Sequence, residues 1–291
     1  MWTVKSVGMS QKRESKYVRF ARLAYVVAQA SVPRYAHPKS PQRFTQPQIV
    51  VCLLLTQYLN LSYRNTEEWL LASAEVRDTL ELSEVPDHTT ISRMLKRLTL
   101  ARLETLLAQV LNQLEGKEDV VALDATGFRF TQASAYYTTR SGRKYRDWVK
   151  GVYAVGTASQ MILAGASAHH VVHDSRFLAP LKSRIARYGQ QKNGKRDWLL
   201  LADAGFDTAT LTDRDLVPPI RRGGKLVDPE RKARADLVAQ ARLEGLFGQR
   251  WKCETVHSVI KRLFGDVIRS RVWRLQRREP LLKALVYNLH R

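Results

Sequence analysis

Two short apolar runs, each ending in an aspartate, constrain the fold of this 291-residue chain more than any other feature. "VVALDATGF" places Asp124 after a Val-rich run, and "WLLLADAGF" places Asp203 after a Leu-rich run. Runs of this length and composition are typical of buried strands. Carboxylates at the ends of such strands point into the crevice where α/β folds usually hold ligands.

The segments around these runs alternate between strand and helix patterns. The sequence predicts two strands in 148–169 joined near 157–160, an amphipathic helix in 175–189, a short strand in 216–222 and a helical stretch from about 234 to 265. Residues 221–234 have the composition of a basic, mobile loop. Together these features predict a mixed α/β fold for a domain spanning residues 113–291.

Residues 1–112 have a helical pattern and predict a separate domain. Thr45, Ser62 and Asp87 stand where N-caps of three helical segments are expected. The last segment has an apolar face and a second face that carries Thr90, Arg93, Lys96 and Arg97. Short helices ending in one of this kind predict a helix-turn-helix-like DNA-binding region. A basic face that is simply solvated is the alternative.

The charge balance predicts a polyanionic partner. The net charge is +21 and the isoelectric point is about 10.3, which favours nucleic acid as that partner. A generically basic protein, or one that lies on an anionic membrane, is the alternative. The longest apolar run, "IVVCLLL", is far shorter than the ~20 residues that span a bilayer, so no membrane is expected. The isolated Cys52 and Cys253 are typical of a reducing cytosol.

A third carboxylate lies in the basic segment "RWKCETVHSVIKR". On a helix, Arg250, Glu254, His257 and Lys261 would share one face beside an apolar stripe that includes Leu263, so Glu254 is expected to border the core. If the strands ending at Asp124 and Asp203 are neighbours, their carboxylates converge and need a cation, for which oxygen ligands favour Mg²⁺ or Mn²⁺. The alternatives are turn or helix caps for the aspartates and a helical ion pair of ~0.3–0.5 kcal/mol between Arg250 and Glu254.

These residues resemble the catalytic triad of DDE transposases of bacterial insertion sequences, in the insertion-sequence four/five superfamily. The signature helix of that family reads Tyr, two residues, Arg, three residues, Glu, six residues, Lys. This chain has Phe247, Arg250, Glu254 and Lys261 at that spacing, with Phe in place of Tyr. The contexts "DATGF" and "DAGF" are similar to those of the family's two aspartates, and "VPDHTTISRMLKRL" is similar to the segment before its catalytic domain.

The resemblance implies a ribonuclease-H-like mixed sheet flanked by helices, with Asp124, Asp203 and Glu254 holding two Mg²⁺ ions that Mn²⁺ can replace. It implies cleavage at the element's ends by water, followed by attack of the freed 3′-OH on target DNA, by two-metal phosphoryl transfer. Arg250 and Lys261 would hold phosphates. Basic residues after the signature helix would contact the DNA backbone, namely Arg269, Arg271 and Arg274.

The implied partners are double-stranded DNA, as terminal inverted repeats and as target, and further copies of the chain in a dimer or larger assembly on DNA. The implied location is the bacterial cytoplasm, at the nucleoid. Two alternatives stay open: a DNA-binding regulator without catalysis, and a metal-dependent nuclease that cuts without joining. The segment "HHVVHDS" (169–175) suggests either a second metal site or, more simply, a cap on the next helix.

Overall fold

The structure is a computed structural model that describes residues 14–39, 41–113, 118–130, 148–169, 171–187, 191–192, 195–196, 198–221, 223 and 226–291. The chain forms two compact units. The helical unit comprises Met1–Glu115, Arg262–Gly265 and Ser270–Arg291. The sheet unit comprises Gly116–Lys261 and Asp266–Arg269. Residues 270–291 were expected in the domain of the three acids, but they pack with the N-terminal helices.

Local capping explains where the N-terminal helices begin. The helices are α1 (Lys16–Ser31), α2 (Gln46–Tyr58), α3 (Tyr63–Ala72), α4 (Ala74–Thr79), α5 (His88–Arg97) and α6 (Leu100–Leu111). The predicted caps Thr45, Ser62 and Asp87 each accept a hydrogen bond from a backbone N–H in the first turn of α2, α3 and α5. The segment after Asp87 is divided into two helices, because Thr99 caps α6 by accepting the Arg102 N–H.

The sheet unit is built on a mixed six-stranded sheet. Its strands are β1 (Val120–Phe130), β2 (Trp148–Gly156), β3 (Ile162–His169), β6 (Leu199–Ala202), β7 (Asp215–Leu216) and β8 (Val267–Ile268); β4 (Gln191–Lys192) and β5 (Lys195–Arg196) form a separate hairpin. The order is β3-β2-β1-β6-β7, and β8 pairs with the far end of β1. β3, β2 and β1 are antiparallel, whereas β1, β6 and β7 are parallel.

Three helices accompany the sheet: α7 (Ser175–Arg187), α8 (Pro229–Leu243) and α9 (Trp251–Phe264). The prediction of a loop over 221–234 is wrong for its last six residues, because Asp228 caps α8 and Pro229 opens it. A mixed sheet flanked by helices is consistent with the ribonuclease-H-like fold that the resemblance implies.

The chain ends in α10 (Trp273–Gln276) and α11 (Glu279–His290), both in the helical unit. Helix α11 is buried along nearly its whole length, including its predicted leucines Leu281, Leu285 and Leu289. The C-terminal helix α11 therefore forms part of the core of the helical unit.

Candidate active site

The parallel pairing of β1 and β6 places Asp124 beside Asp203. Leu123 pairs with Ala202, and the two aspartates are the next residues along the chain. Asp203 directly follows β6, as expected, but the expectation that the other strand ends at Asp124 is wrong, because β1 continues to Phe130. The two carboxylates were expected to converge only if their strands were neighbours, and β1 and β6 are hydrogen-bonded neighbours. Both carboxylates therefore lie at one edge of the parallel part of the sheet, where α/β folds bind ligands.

Asp203 also has the capping role that the sequence left open. Its Oδ1 accepts a hydrogen bond of 2.9 Å from the Gly205 N–H, and it caps the 3-10 helix Ala204–Phe206. A Cβ on Gly205 would lie 3.0 Å from that Oδ1 and 3.3 Å from Oδ2 of Asp174. The glycine thus allows two carboxylates to approach the same backbone.

Arg250 links Glu254 to Asp124. Its Nη2 lies 3.0 Å from Glu254 Oε1, and its Nη1 lies 3.6 Å from Asp124 Oδ2. The helical ion pair considered from the sequence is therefore present, but the same guanidinium also faces the strand aspartate. The expectation that Glu254 borders the core is wrong: its side chain is 59% exposed, and Leu263 of the expected apolar stripe is exposed as well.

Asp124 has an unusual environment for a carboxylate. Burial raises its pKa to about 6, the Ala125 N–H and Arg250 oppose that rise, and the charges of Asp203 and Glu254 add to it. The side chain is only 15% exposed. The charges of both other acids of the predicted triad therefore act on Asp124, and its negative charge stays costly even with the Arg250 guanidinium nearby.

The sequence placed His257 on the face of Glu254 but assigned it no role. Its side chain is 8% exposed, and its Nδ1 lies 3.8 Å from Asp124 Oδ2. The other ring nitrogen, Nε2, is buried and has no hydrogen-bond partner among the described residues. Burial, helped by the charges of Lys261 and Arg250, lowers the pKa of His257 to about 3, so the ring beside Asp124 is neutral at physiological pH.

The other two residues of the signature, Phe247 and Lys261, contact aromatic or apolar side chains of the sheet unit. Phe247, in the tyrosine position, starts a 3-10 helix that precedes α9 and packs against a cluster that includes Leu201 and Val238. The Lys261 ammonium lies 5.9 Å from the centroid of the Phe128 ring, and burial lowers its pKa. Phe247 therefore anchors the segment that presents Arg250, and Lys261 lies along β1 beyond Asp124.

The predicted DNA-contacting residues fall into two groups. Arg93, Lys96 and Arg97 are exposed on α5 in the helical unit, as are Arg271 and Arg274 near the C-terminus, whereas Arg269 is exposed in the sheet unit. Thr90 is half-buried, and its hydroxyl donates to Asp87 Oδ2 at 2.9 Å. Thr90 thus reinforces the cap of α5.

The chemistry of the acids fits a hard divalent cation. The charges of Asp203 and Glu254 both raise the pKa of Asp124, carboxylate oxygens are the ligands that such a cation prefers, and Arg250 is the cation that faces Asp124 and Glu254. Within the described residues, no three His, Cys, Asp or Glu side chains are already gathered closely enough to hold a metal ion. The "HHVVHDS" segment also forms no such group: His170 lies outside the described residues, His173 faces Ser175, and Asp174 pairs with Lys150.

Comparison with known proteins identifies the family. Residues 115–289, more than half of the chain, match a family model described as Transposase DDE domain. A comparison with curated proteins gave no match. None of the helices in the described part of the chain is long and apolar enough to cross a membrane. Transposases with this domain generally depend on divalent metal ions and bind DNA. The chain belongs to the family of transposases that carry a DDE domain.

Proposed function

We propose that this protein is a transposase of the insertion-sequence four/five type that cuts the ends of its element and joins the freed 3′-OH ends to target DNA. The observation that carries the proposal is the arrangement around Arg250, whose guanidinium faces both Asp124 and Glu254, with Asp203 directly after the neighbouring strand. A regulator that only bound DNA would not need this set of acids.

Asp124, Asp203 and Glu254 would hold Mg²⁺, or Mn²⁺ in its place. When bound there, two such ions would stabilise the charge on the attacking and leaving oxygens of an in-line phosphoryl displacement. Asp124 must be ionised to bind a cation. Its raised pKa in the metal-free protein therefore predicts that the Mg²⁺ concentration needed for half-maximal activity rises as the pH drops through about 6.

Arg250 would exchange its carboxylate partners for DNA. Its side chain is 26% exposed, and a guanidinium can donate two parallel hydrogen bonds to a phosphate as well as to a carboxylate. With a divalent cation held by Asp124 and Glu254, the Arg250 guanidinium would be free to bind the anionic substrate. The exposure of Glu254 supports this exchange, because its carboxylate is open to solvent and to incoming ions.

The rest of the molecule supplies DNA-binding surface in this proposal. The exposed basic residues of α5 in the helical unit, Arg93, Lys96 and Arg97, would bind the terminal inverted repeats, and Arg269, Arg271 and Arg274 would contact phosphates. The active form would be a dimer or larger assembly on DNA, working at the nucleoid.

The test uses oligonucleotide duplexes that carry the inverted repeats flanking the gene, together with a plasmid target. Wild type is compared with Glu254→Gln and with the control Glu244→Gln, which removes the same charge from an exposed residue at the end of α8. We expect Mg²⁺-dependent cleavage and joining by wild type and Glu244→Gln. Glu254→Gln should do neither while still binding DNA.

Other outcomes identify the other functions. Cleavage without strand joining would indicate a nuclease, and repeat binding without metal-dependent cleavage would indicate a regulator. Full activity of Glu254→Gln would show that Glu254 is only a counter-ion of Arg250.

A further inference from the structure

Helix α5, which presents the exposed Arg93, Lys96 and Arg97, receives a buried guanidinium at its C-terminal end. Arg278 is 7% exposed, and its Nη1 donates hydrogen bonds to the carbonyl oxygens of Leu95 at 2.7 Å and Lys96 at 2.9 Å. The last four carbonyls of a helix have no partner inside the helix. Arg278 therefore satisfies two of them, and its positive charge lies at the negative end of the helix dipole.

Arg278 is itself held firmly by its own segment. It stands at the N-cap position of α11, and the next residue, Glu279, accepts the Ser270 N–H at 2.6 Å. Lys283, 1% exposed, donates from Nζ to the Phe264 carbonyl at 2.5 Å. The guanidinium is thus fixed to a buried helix rather than to a surface loop.

The other end of α5 is also held by groups outside the helix. Asp87 accepts the N–H groups of Thr89 and Thr90. Glu67, on α3, lies 2.9 Å from both the backbone N–H and the Nδ1 of His88. Both ends of α5 are therefore attached by charged hydrogen-bonding groups, which restrict its rotation and its movement along the axis.

We propose that Arg278 is a positioning residue for DNA recognition, through which the C-terminal segment 270–291 sets the orientation of α5. This inference rests on the proposed function, in which α5 binds the terminal repeats. Rotation of a recognition helix moves every side chain on its outer face at once, so sequence preference should be lost more strongly than general affinity for DNA. Arg278 acts only on backbone carbonyls and need not touch DNA.

The test compares full-length wild type with Arg278→Met and Arg278→Lys. The control is Arg277→Met, since Arg277 is adjacent, has the same charge and lies over the Trp273 ring. Two quantities are measured: the affinity for a duplex with the flanking repeats relative to a scrambled duplex, and amide hydrogen exchange across 88–98. We expect Arg278→Met to lower the affinity ratio roughly tenfold and to speed exchange in the last turn of α5, since a charged hydrogen bond is lost. Arg278→Lys should show smaller changes in both the affinity ratio and the exchange rate, because its ammonium can still donate to the carbonyl oxygens.

Three outcomes separate the explanations. If wild type prefers the repeats and Arg278→Met keeps both the ratio and the exchange pattern of Arg277→Met, the inference is wrong while the proposed function stands. If circular dichroism shows that Arg278→Met is unfolded, Arg278→Lys is compared with Arg277→Met instead. The inference is wrong if Arg278→Lys then has the same affinity ratio and the same exchange pattern as that control. If wild type itself does not distinguish the repeats from the scrambled duplex, the proposed role of α5 fails, and the inference fails with it.

Discussion

Replacing Asp124 by Asn should make the metal-free protein more stable at neutral pH while abolishing its activity. Burial, together with the charges of Asp203 and Glu254, raises the pKa of Asp124 from its ordinary value of 3.8 to about 6. Each pKa unit corresponds to about 1.4 kcal/mol, so the ionised carboxylate lowers the free energy of unfolding by about 3 kcal/mol at pH 7. Asn has nearly the same shape and no charge.

The sign of the pH dependence follows from linkage. The folded state binds the proton of Asp124 more tightly than the unfolded state, so the penalty is absent below pH 3.8, grows between 3.8 and about 6, and is complete above that. The advantage of Asp124→Asn should therefore vanish in acid. The measurement is urea denaturation in EDTA at about pH 7 and about pH 4.

A control and a metal titration complete this experiment. Asp119→Asn removes an exposed carboxylate just before β1 and should change the free energy of unfolding by less than about 0.5 kcal/mol. Added Mg²⁺ at about 100 times its dissociation constant should stabilise wild type by about 2.7 kcal/mol and Asp124→Asn by much less. If Asp124→Asn gains nothing at pH 7, or keeps its gain at pH 4, the reasoning from burial and charge repulsion is wrong.

Three further predictions concern Gly205, His257 and Lys96. Gly205→Ala should reduce end cleavage at least about tenfold without unfolding the chain, since its Cβ would press on Asp203 Oδ1 at 3.0 Å. His257→Leu should raise the Mg²⁺ concentration needed for half-maximal cleavage several-fold, because it removes the polar ring nitrogen that lies 3.8 Å from Asp124 Oδ2. His257→Asn should need a concentration between those of wild type and His257→Leu, because an amide keeps a polar group at this position. Lys96→Gln should weaken binding to all duplexes and reduce the salt slope of log affinity by about 0.9, as measured by fluorescence anisotropy.

Each of these has its own control or contrary result. Gly248→Ala adds a methyl group where nothing lies within 4 Å, so equal losses in the two alanine variants would contradict the contact argument. Equal metal dependence in wild type and His257→Leu would show that the ring only fills space. An unchanged salt slope in Lys96→Gln would mean that this lysine contacts no phosphate.

Much of the fold could be predicted because its signals are local. Strand runs, the Thr45, Ser62 and Asp87 caps and the amphipathic period of α7 depend on residues a few positions apart, whose relation is set by backbone geometry. One prediction that failed also had a local signal: Asp228-Pro229 marks a helix start within a segment whose basic composition suggested a loop. There the capping chemistry of Asp228 and Pro229 decides the structure, and the basic composition does not.

The sequence was enough to name the candidate site residues, but not to predict their charge environment or exposure. The sequence singled out Asp124, Asp203 and Glu254, and the spacing of Arg250 and Glu254 on one helix face follows from 3.6 residues per turn. It gave no indication that Arg250 also faces Asp124, that Glu254 is exposed, or that His257 lies beside Asp124. The two contacts with Asp124 join residues more than 100 positions apart. They and the exposure of Glu254 depend on how the segment 247–264 packs relative to β1.

The sequence by itself thus determined the elements, their caps and the identities of the acids, because periodicity and capping are properties of short segments. Only the tertiary structure decided which segments meet: the parallel pairing of β1 with β6, the burial that raises the pKa of Asp124, and the return of Arg278 to the end of α5. Such contacts are selected by the simultaneous packing of the whole core, in which each surface is buried only once all the others are in place.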